Sequence, residues 1–288
     1  MTQNFRDADS GDGFLYHYTS IDTARDYILK DNRLLLNSLH KANDPKDCKT
    51  WFLSAYTNDH ERYGLKHGLR AAEELKKVVR VTCFTQDQLQ ENPPSKIILD
   101  INRCGFNNPQ MWHYYGKANT GVCLVFDKKE LLARFSEQYG GNALSGPIKY
   151  IDRSLGHSNA IPQYQYFPER YDEIGSLNYC KEHMMQPSNA ELMLFQKSTP
   201  WNCENEFRLV TFSDKADAIY LNFESSLKAV CFGSFACIDD IEAVKAYKSD
   251  AHYRGLTLGK IFWRNASPFY VEGYHNIKRR ILSITDFN

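Results

Sequence analysis

The stretch Glu206-Phe207-Arg208-Leu209-Val210-Thr211-Phe212 is the first of four strand-like segments near the end of the chain, and the links between them decide the fold class. Apolar, β-branched and aromatic residues fill it, as they do Ala218 to Phe223, Leu227 to Phe232 and Leu258 to Trp263. Short polar turns separate these segments, except that Asp239 to Tyr247 reads as a helix between the last two. Strands joined by short links favour antiparallel neighbours. The expected class is therefore α+β rather than a doubly wound parallel sheet. Ile281 to Ile284 reads as one more strand.

Upstream, Phe14 to Tyr18 is a short strand running into a helix, with Thr19 or Ser20 at its cap and Asp22 in the positively polarised first turn. Arg33 to Leu36 is a second strand, and Asn43-Asp44-Pro45 breaks regular structure because Pro45 restricts the residue before it. Leu65 to Lys77 has the spacing of a surface helix, followed by a strand from Val78 to Phe84. Gly121 to Phe126 reads as a strand and Lys128 to Tyr139 as a helix. Residues 14–288 are read as a single α+β domain behind a flexible leader, residues 1–13, with a helical insertion near 140–187.

Composition narrows the function. The chain has 288 residues, enough for a substantial core, and its 35 lysines plus arginines balance 35 aspartates plus glutamates. No net field draws it to nucleic acid or an anionic membrane, although Arg279-Arg280 leaves a local basic contact open. Its eight scattered cysteines read as buried free thiols of a reducing compartment, and no C-x-x-C pair offers a zinc site. No apolar run approaches the roughly 20 residues that cross a bilayer. A cytoplasmic protein without a membrane partner is expected; self-association is left open. Neither G-x-G-x-x-G nor G-x-x-x-x-G-K-S/T is present.

The richest chemistry lies in Trp201-Asn202-Cys203-Glu204-Asn205-Glu206-Phe207-Arg208. Read as a strand, it places Trp201, Cys203, Asn205 and Phe207 on one face and Glu204, Glu206 and Arg208 on the other. The bland account is a solvated face on which Arg208 offsets like charges. The functional account gives one carboxylate developing positive charge to stabilise and the other a hydroxyl to orient. On the same alternation Trp201 packs into the core. His17 and Tyr18 end the first strand before a helix N-terminus, where backbone amides can receive an anion; a core aromatic and a satisfied histidine explain them equally well. Trp112-His113-Tyr114-Tyr115 cannot all face one core if extended, so at least one ring lines a cleft or covers an edge.

Leu15-Tyr16-His17-Tyr18-Thr19-Ser20, Asn43-Asp44-Pro45, Cys83-Phe84-Thr85, Met111-Trp112 with Tyr115 and Gly121, then Lys197 with Trp201, Glu204, Glu206 and Arg208 form an ordered signature. It resembles that of a large, poorly characterised bacterial family distantly similar to the ADP-ribosyltransferase-like superfamily. The resemblance spans Phe14 to Arg208. It implies a split, mostly antiparallel sheet that binds NAD. On this chain it implies that His17 holds the ribose beside nicotinamide, that Tyr115 or its neighbour Tyr114 packs on the nicotinamide ring, and that Glu206 is the catalytic glutamate with Glu204 before it in an E-x-E pair. Tyr18, Thr19 and Arg208 are counted with the NAD-binding residues. The family carries a glutamate two residues after Asn-Asp-Pro, where this chain has Asp47.

The chemistry fits the resemblance. Cleaving the nicotinamide glycosidic bond creates an oxocarbenium-like centre, which a carboxylate near the ribose stabilises. The leading expectation is an NAD-dependent ADP-ribosyltransferase acting on protein or nucleic acid, in bacterial defence. The alternative is a noncatalytic nucleotide-sensing or protein-interaction module of a defence system. A metal-dependent hydrolase ranks third, because the histidines lack a ligand spacing, and no metal site is expected.

Overall fold

The structure, a computed structural model, describes residues 13–49, 51–88, 101–152 and 161–285; the expected leader, apart from Gly13, lies outside them. In chain order the strands are β1 (Phe14–Thr19), β2 (Arg33–Ser38), β3 (Ser54–Ala55), β4 (Val79–Gln86), β5 (Val122–Asp127), β6 (Leu144–Pro147) and β7 (Lys149–Tyr150). They continue with β8 (Gln165–Tyr166), β9 (Gln196–Lys197), β10 (Glu206–Phe212), β11 (Ile219–Asn222), β12 (Leu227–Phe232), β13 (Thr257–Arg264) and β14 (Ser267–Glu272). The helices are α1 (Ile21–Thr23, continued by a wider π turn), α2 (Pro45–Cys48), α3 (Leu65–Val78), α4 (Pro109–Tyr114), α5 (Lys128–Tyr139), α6 (Pro168–Met184), α7 (Pro187–Leu194), α8 (Ile238–Lys245) and α9 (Tyr274–Thr285). The result is a mixed α+β fold around a mostly antiparallel, open sheet.

The sheet runs β11-β2-β4-β1-β5-β12-β13-β14, with β10 and then β6 attached at β4. It forks on β4. One edge of β4 pairs with β10 over its length, from Thr85 opposite Glu206 to Val79 opposite Phe212. The other edge meets β2 only at Arg80 and Val81, and β1 only at Thr85 and Gln86. Residues 82–84 therefore have no strand partner on that side. The resulting opening positions the site described below.

Helices cover both faces. Phe84, Leu124, Phe126, Leu209 and Val230 of the sheet pack with Leu131, Phe135, Ile241 and Ile277 of α5, α8 and α9. On another side Val79, Val81 and Val210 meet Ala71, Ala72 and Leu75 of α3, whose buried positions recur at helical spacing, together with residues of α6 and α7. Tyr16, Tyr18, Phe106 and Trp112 form a third cluster with Val125 and Ile261.

Several expectations change. The last strands are not all antiparallel, because β12 and β13 pair in parallel and α8 is the crossover that such a pair requires. Ile281 to Ile284 belongs to α9, where Ile277 and Ile281 pack on the core at helical spacing. The segment 140–187 is not wholly helical: it opens with β6, paired to β10, and becomes helical at Pro168, with a kink at Gly175, φ 76°. The run Trp201 to Arg208 is extended only from Glu206; Thr199–Glu204 is a 3₁₀ helix, and Asn205 between them is left-handed at φ 42°. Trp201 is consequently half-buried, not a core residue. Of the cysteines only Cys123, Cys180 and Cys231 are buried, while Cys83 and Cys237 are exposed. Among the described residues no helix is long and apolar enough to cross a membrane.

Candidate functional site

The fork in the sheet opens into a cleft of about 660 Å³ whose lining includes His17, Tyr115, Lys197, Glu204, Glu206 and Arg208. β1 and β10 bring His17 and Glu206 there from opposite edges of β4, so the two strands flank β4 and are not themselves neighbours.

Glu206 and Arg208 share a face of β10 because one residue separates them. Glu204 joins them for a different reason. The left-handed turn at Asn205, a residue type that tolerates it, is fixed by Nδ2 donating to the carbonyls of Gln86 and Asp87, each at 3.0 Å. The Glu204 carbonyl accepts from Thr85 Oγ1 at 2.8 Å, and the Cys203 carbonyl from Asn108 Nδ2 at 2.5 Å. Thus tethered to β4 and to the cap of α4, the turn sends both glutamates toward Lys197.

Lys197 sits in the two-residue strand β9, and its Nζ lies 2.7 Å from both Glu204 Oε2 and Glu206 Oε2. It donates a hydrogen bond to Glu204, whereas its contact with Glu206 Oε2 has ion-pair distance without hydrogen-bond alignment. The other Glu206 oxygen accepts from Arg208 Nε at 2.7 Å. Arg208, 1 % exposed, reaches the Asp47 carboxylate with its two terminal nitrogens at 2.8 and 3.3 Å and donates to the Leu194 carbonyl at 2.8 Å. The chain Asp47, Arg208, Glu206, Lys197, Glu204 alternates in sign and is buried throughout.

Burial raises the Glu206 carboxyl, but Arg208 and then Lys197 overcome this and hold it well below the usual carboxylate range. Burial likewise opposes the charge of Lys197, and Glu206 leads the groups that keep it protonated. Glu206 is therefore a permanent anion near neutral pH and a poor base.

Tyr115 completes the cluster. Its hydroxyl donates to Glu204 Oε1 at 2.7 Å and accepts from Asn43 Nδ2 at 2.6 Å. Burial, followed by the hydrogen bond to Glu204, raises the phenol far above its ordinary value. Tyr114, one step around α4, is 66 % exposed and does not line the cleft. The Trp112-to-Tyr115 ambiguity is resolved by helix geometry: Trp112 turns into the core, where its Nε1 donates to the Phe106 carbonyl at 2.8 Å.

His17 Nδ1 lies 3.0 Å from the Cys83 carbonyl in the unpaired part of β4. A carbonyl only accepts, so Nδ1 carries the proton and Nε2 of the neutral ring is an acceptor. Burial lowers the ring below its usual value, partly offset by that hydrogen bond. Tyr18 points to the opposite face of β1. Its hydroxyl donates to the Gly105 carbonyl at 2.5 Å and its ring meets Trp112 edge-on at 4.9 Å, so its side chain supports the core. Thr19 ends β1, and the cap is Ser20, whose oxygen accepts from Thr23 N.

Three cleft residues had no role assigned from the sequence. Lys197 carries no periodic signal in so short a strand. Asp47 stands on α2, begun by the Asp44 cap and Pro45, and Lys76 Nζ donates to the carbonyls of Lys46, Asp47 and Lys49 at its end. Cys83 opens into the cleft opposite Arg208; the protein around it and then nearby Glu206 hold its thiol protonated, hence unreactive. Among the described residues no group of three or more His, Cys, Asp or Glu is placed to hold a metal ion.

A profile of the family described as "Protein of unknown function (DUF2971)" matches residues 111–209. The matched part contains Tyr115, Lys197, Glu204, Glu206 and Arg208; His17 and Asp47 fall outside it. No curated protein and no solved structure matches the chain.

Proposed function

We propose that the cleft binds NAD and that the protein transfers ADP-ribose from it to a protein or nucleic-acid acceptor. The observation that supports this most is the meeting of His17, Tyr115, Glu204 and Glu206, distant in sequence, around one cavity. The cavity volume lies within the range of small-molecule sites. A histidine acceptor at Nε2 suits a ribose hydroxyl, and the Tyr115 ring on the same cavity suits the flat nicotinamide. Within the buried ion-pair chain three acids meet two cations, which favours positive charge developing there as nicotinamide leaves, while Arg33 and Lys41 elsewhere on the lining suit the phosphates of a dinucleotide. Because Glu206 stays ionised, its role is electrostatic and orienting; a proton acceptor for the incoming nucleophile is not required of it.

The engagement of Glu206 by both Arg208 and Lys197 favours a second reading, a module that binds a nucleotide without turning it over. Glu206→Gln separates the two. In an enzyme it depresses nicotinamide release far more than it weakens NAD affinity, because the interaction is stronger in the transition state than in bound NAD; since Glu206 is buried between Arg208 and Lys197, thermal unfolding also falls, and the comparison is made at a temperature where the variant is folded. A folded variant that releases nicotinamide at the parent's rate rejects Glu206. NAD binding without release, with protein and nucleic-acid acceptors both supplied, selects the sensor.

A further inference from the structure

Both carboxylate oxygens of each acid in the buried cluster are already engaged. Glu204 accepts from Tyr115 and Lys197, Glu206 lies against Arg208 and Lys197, and Asp47 meets the two terminal nitrogens of Arg208. A carboxylate that took a proton from an incoming nucleophile would first have to give up one of these contacts, leaving a buried cation short of its partner. The Cys83 thiol and the Tyr115 phenol are held protonated, by burial first, so neither serves as a base. His17 Nε2 is the basic nitrogen that remains on the lining, and burial weakens it. The cleft therefore suits a nucleophile that arrives with no proton to lose, that is, an anion.

A smaller concavity, of about 390 Å³, adjoins the cleft at Ser38 and Lys41, which line both. Part of its charge is balanced: Lys77 pairs with Glu73 at 2.7 Å, and Glu74 accepts from Arg70 and Tyr171. Lys41, Arg80 and Lys215 meet no carboxylate among the described residues; the Arg80 guanidinium donates to the Ser213 and Lys215 carbonyls, which cancel no charge. Asp214 is the lining acid left against these three cations. Burial, then Lys41, Lys77 and Arg80, lowers the adjacent His40 ring, as a positive field at that spot requires. A nucleic-acid strand supplies repeating phosphates for such a surface, and its terminal phosphate monoester, with a second pKa of about 6, is already a dianion near neutral pH. A protein carboxylate also attacks without losing a proton, but it brings no repeating charge. Building on the NAD reading of the cleft, we propose that the acceptor is the terminal phosphate of a nucleic-acid strand, whose next phosphates lie on Arg80 and Lys215. Lys41 then stands between the strand and the dinucleotide. A phosphate oxygen bonds to the ribose carbon as the bond from that carbon to the nicotinamide nitrogen breaks. The electron pair stays on that nitrogen, the ring leaves neutral, the dianion becomes a singly charged diester, and no proton moves.

The test uses the full chain, NAD, and random-sequence RNA and DNA strands of about 16 nucleotides that carry a phosphate on one end, on the other, or on neither. NAD affinity is measured by calorimetry, and nicotinamide release is compared with the gain in strand mass. The expected result is equimolar release and ADP-ribose addition on phosphate-ended strands, both lost after phosphatase treatment of the strand. Lys215→Glu, at an exposed position outside the cleft, should raise the strand concentration giving half-maximal rate by about threefold or more at low salt, with NAD affinity unchanged and the difference fading as salt rises. Equal modification of hydroxyl-ended strands, modification of an acidic peptide in their place, nicotinamide release with no acceptor present, or a Lys215→Glu variant that matches the parent overturns the proposal and leaves the NAD reading standing. NAD binding without release in every mixture selects the sensor and overturns the proposal too, whereas failure of the parent to bind NAD removes both.

Discussion

Arg208→Met removes the cation that two buried acids share. The guanidinium lies 2.7 Å from Glu206 and 2.8 Å from Asp47, and all three side chains are at most 3 % exposed. Methionine occupies much of the arginine stem's volume and adapts to irregular space, so the main loss is electrostatic. Removing one partner of a buried pair costs on the order of 3 to 5 kcal/mol. Glu206 retains Lys197, whereas Asp47 keeps no ion pair among the described residues, so the expected loss is that of one orphaned acid, on the order of 3 to 5 kcal/mol rather than twice that. Urea unfolding of parent and variant at neutral pH measures it. The pH dependence has a definite sign. In the parent the lowered Glu206 carboxyl contributes stability that is present above its unfolded value, and is lost as pH falls through the folded value. In the variant the strongest counter-charge of Glu206 is gone, so less of that stability remains to be lost on acidification and the gap should narrow. Asp47→Asn placed in the Arg208→Met background should recover part of the loss, with a coupling of about 0.5 to 3 kcal/mol. A loss below about 1 kcal/mol, or a gap unchanged by acid, refutes the account of Arg208 as the neutralising centre.

Tyr115→Phe deletes the hydroxyl between Glu204 and Asn43 and should cost about 1 to 2 kcal/mol in denaturant unfolding, whereas Tyr114→Ala, at an exposed ring, should stay within about 0.5 kcal/mol. Equal losses would contradict the separation of these neighbours. Trp201→Ala should cost about 1 to 2 kcal/mol in the same assay, since the ring is half-buried with Lys197 Nζ 5.3 Å from its centroid; the roughly 3 to 5 kcal/mol of a fully buried aromatic would restore it to the core. Burial lowers the His17 ring, so the unfolded chain takes up this proton first and the group costs stability as pH drops below about 6.5. His17→Asn, which keeps a donor for the Cys83 carbonyl, should flatten the fall of the melting temperature between about pH 7 and pH 5; an unaltered profile rules out that contribution.

The sequence makes strands legible where burial is two-sided and the run is long. β1, β5 and β10 lie within a residue or two of the apolar stretches that announce them. β14 was missed because Pro268 and the polar hairpin tip interrupt its pattern, although a proline near the start of an edge strand blocks no central ladder. The convergence of Glu204 with Glu206 is expected from strand alternation and occurs instead through the left-handed turn at Asn205, which carries the same residue to that side by another route. Alternation also assigned Trp201 to the core, and the same turn undoes that assignment. Lys197 stood in the sequence signature without a role because ion pairing across the fold leaves no periodicity.

The fork at β4 explains how residues so far apart in the chain share one cleft. Thr85 faces Tyr16 of β1 across one edge and Glu206 of β10 across the other, so Glu206 stands on that rung and His17 one step from it. If β1 or β2 continued along β4, residues 82–84 would complete a ladder and the Cys83 carbonyl would take a backbone donor. His17 would then lose the acceptor that fixes its proton on Nδ1, and the opening above Glu206 would fill with backbone. Stopping both strands short leaves polar groups of a central strand without ladder partners on that edge, a cost that buried backbone rarely tolerates. The His17 ring offsets part of it, coupling the integrity of the sheet at this point to the protonation state of a cleft residue.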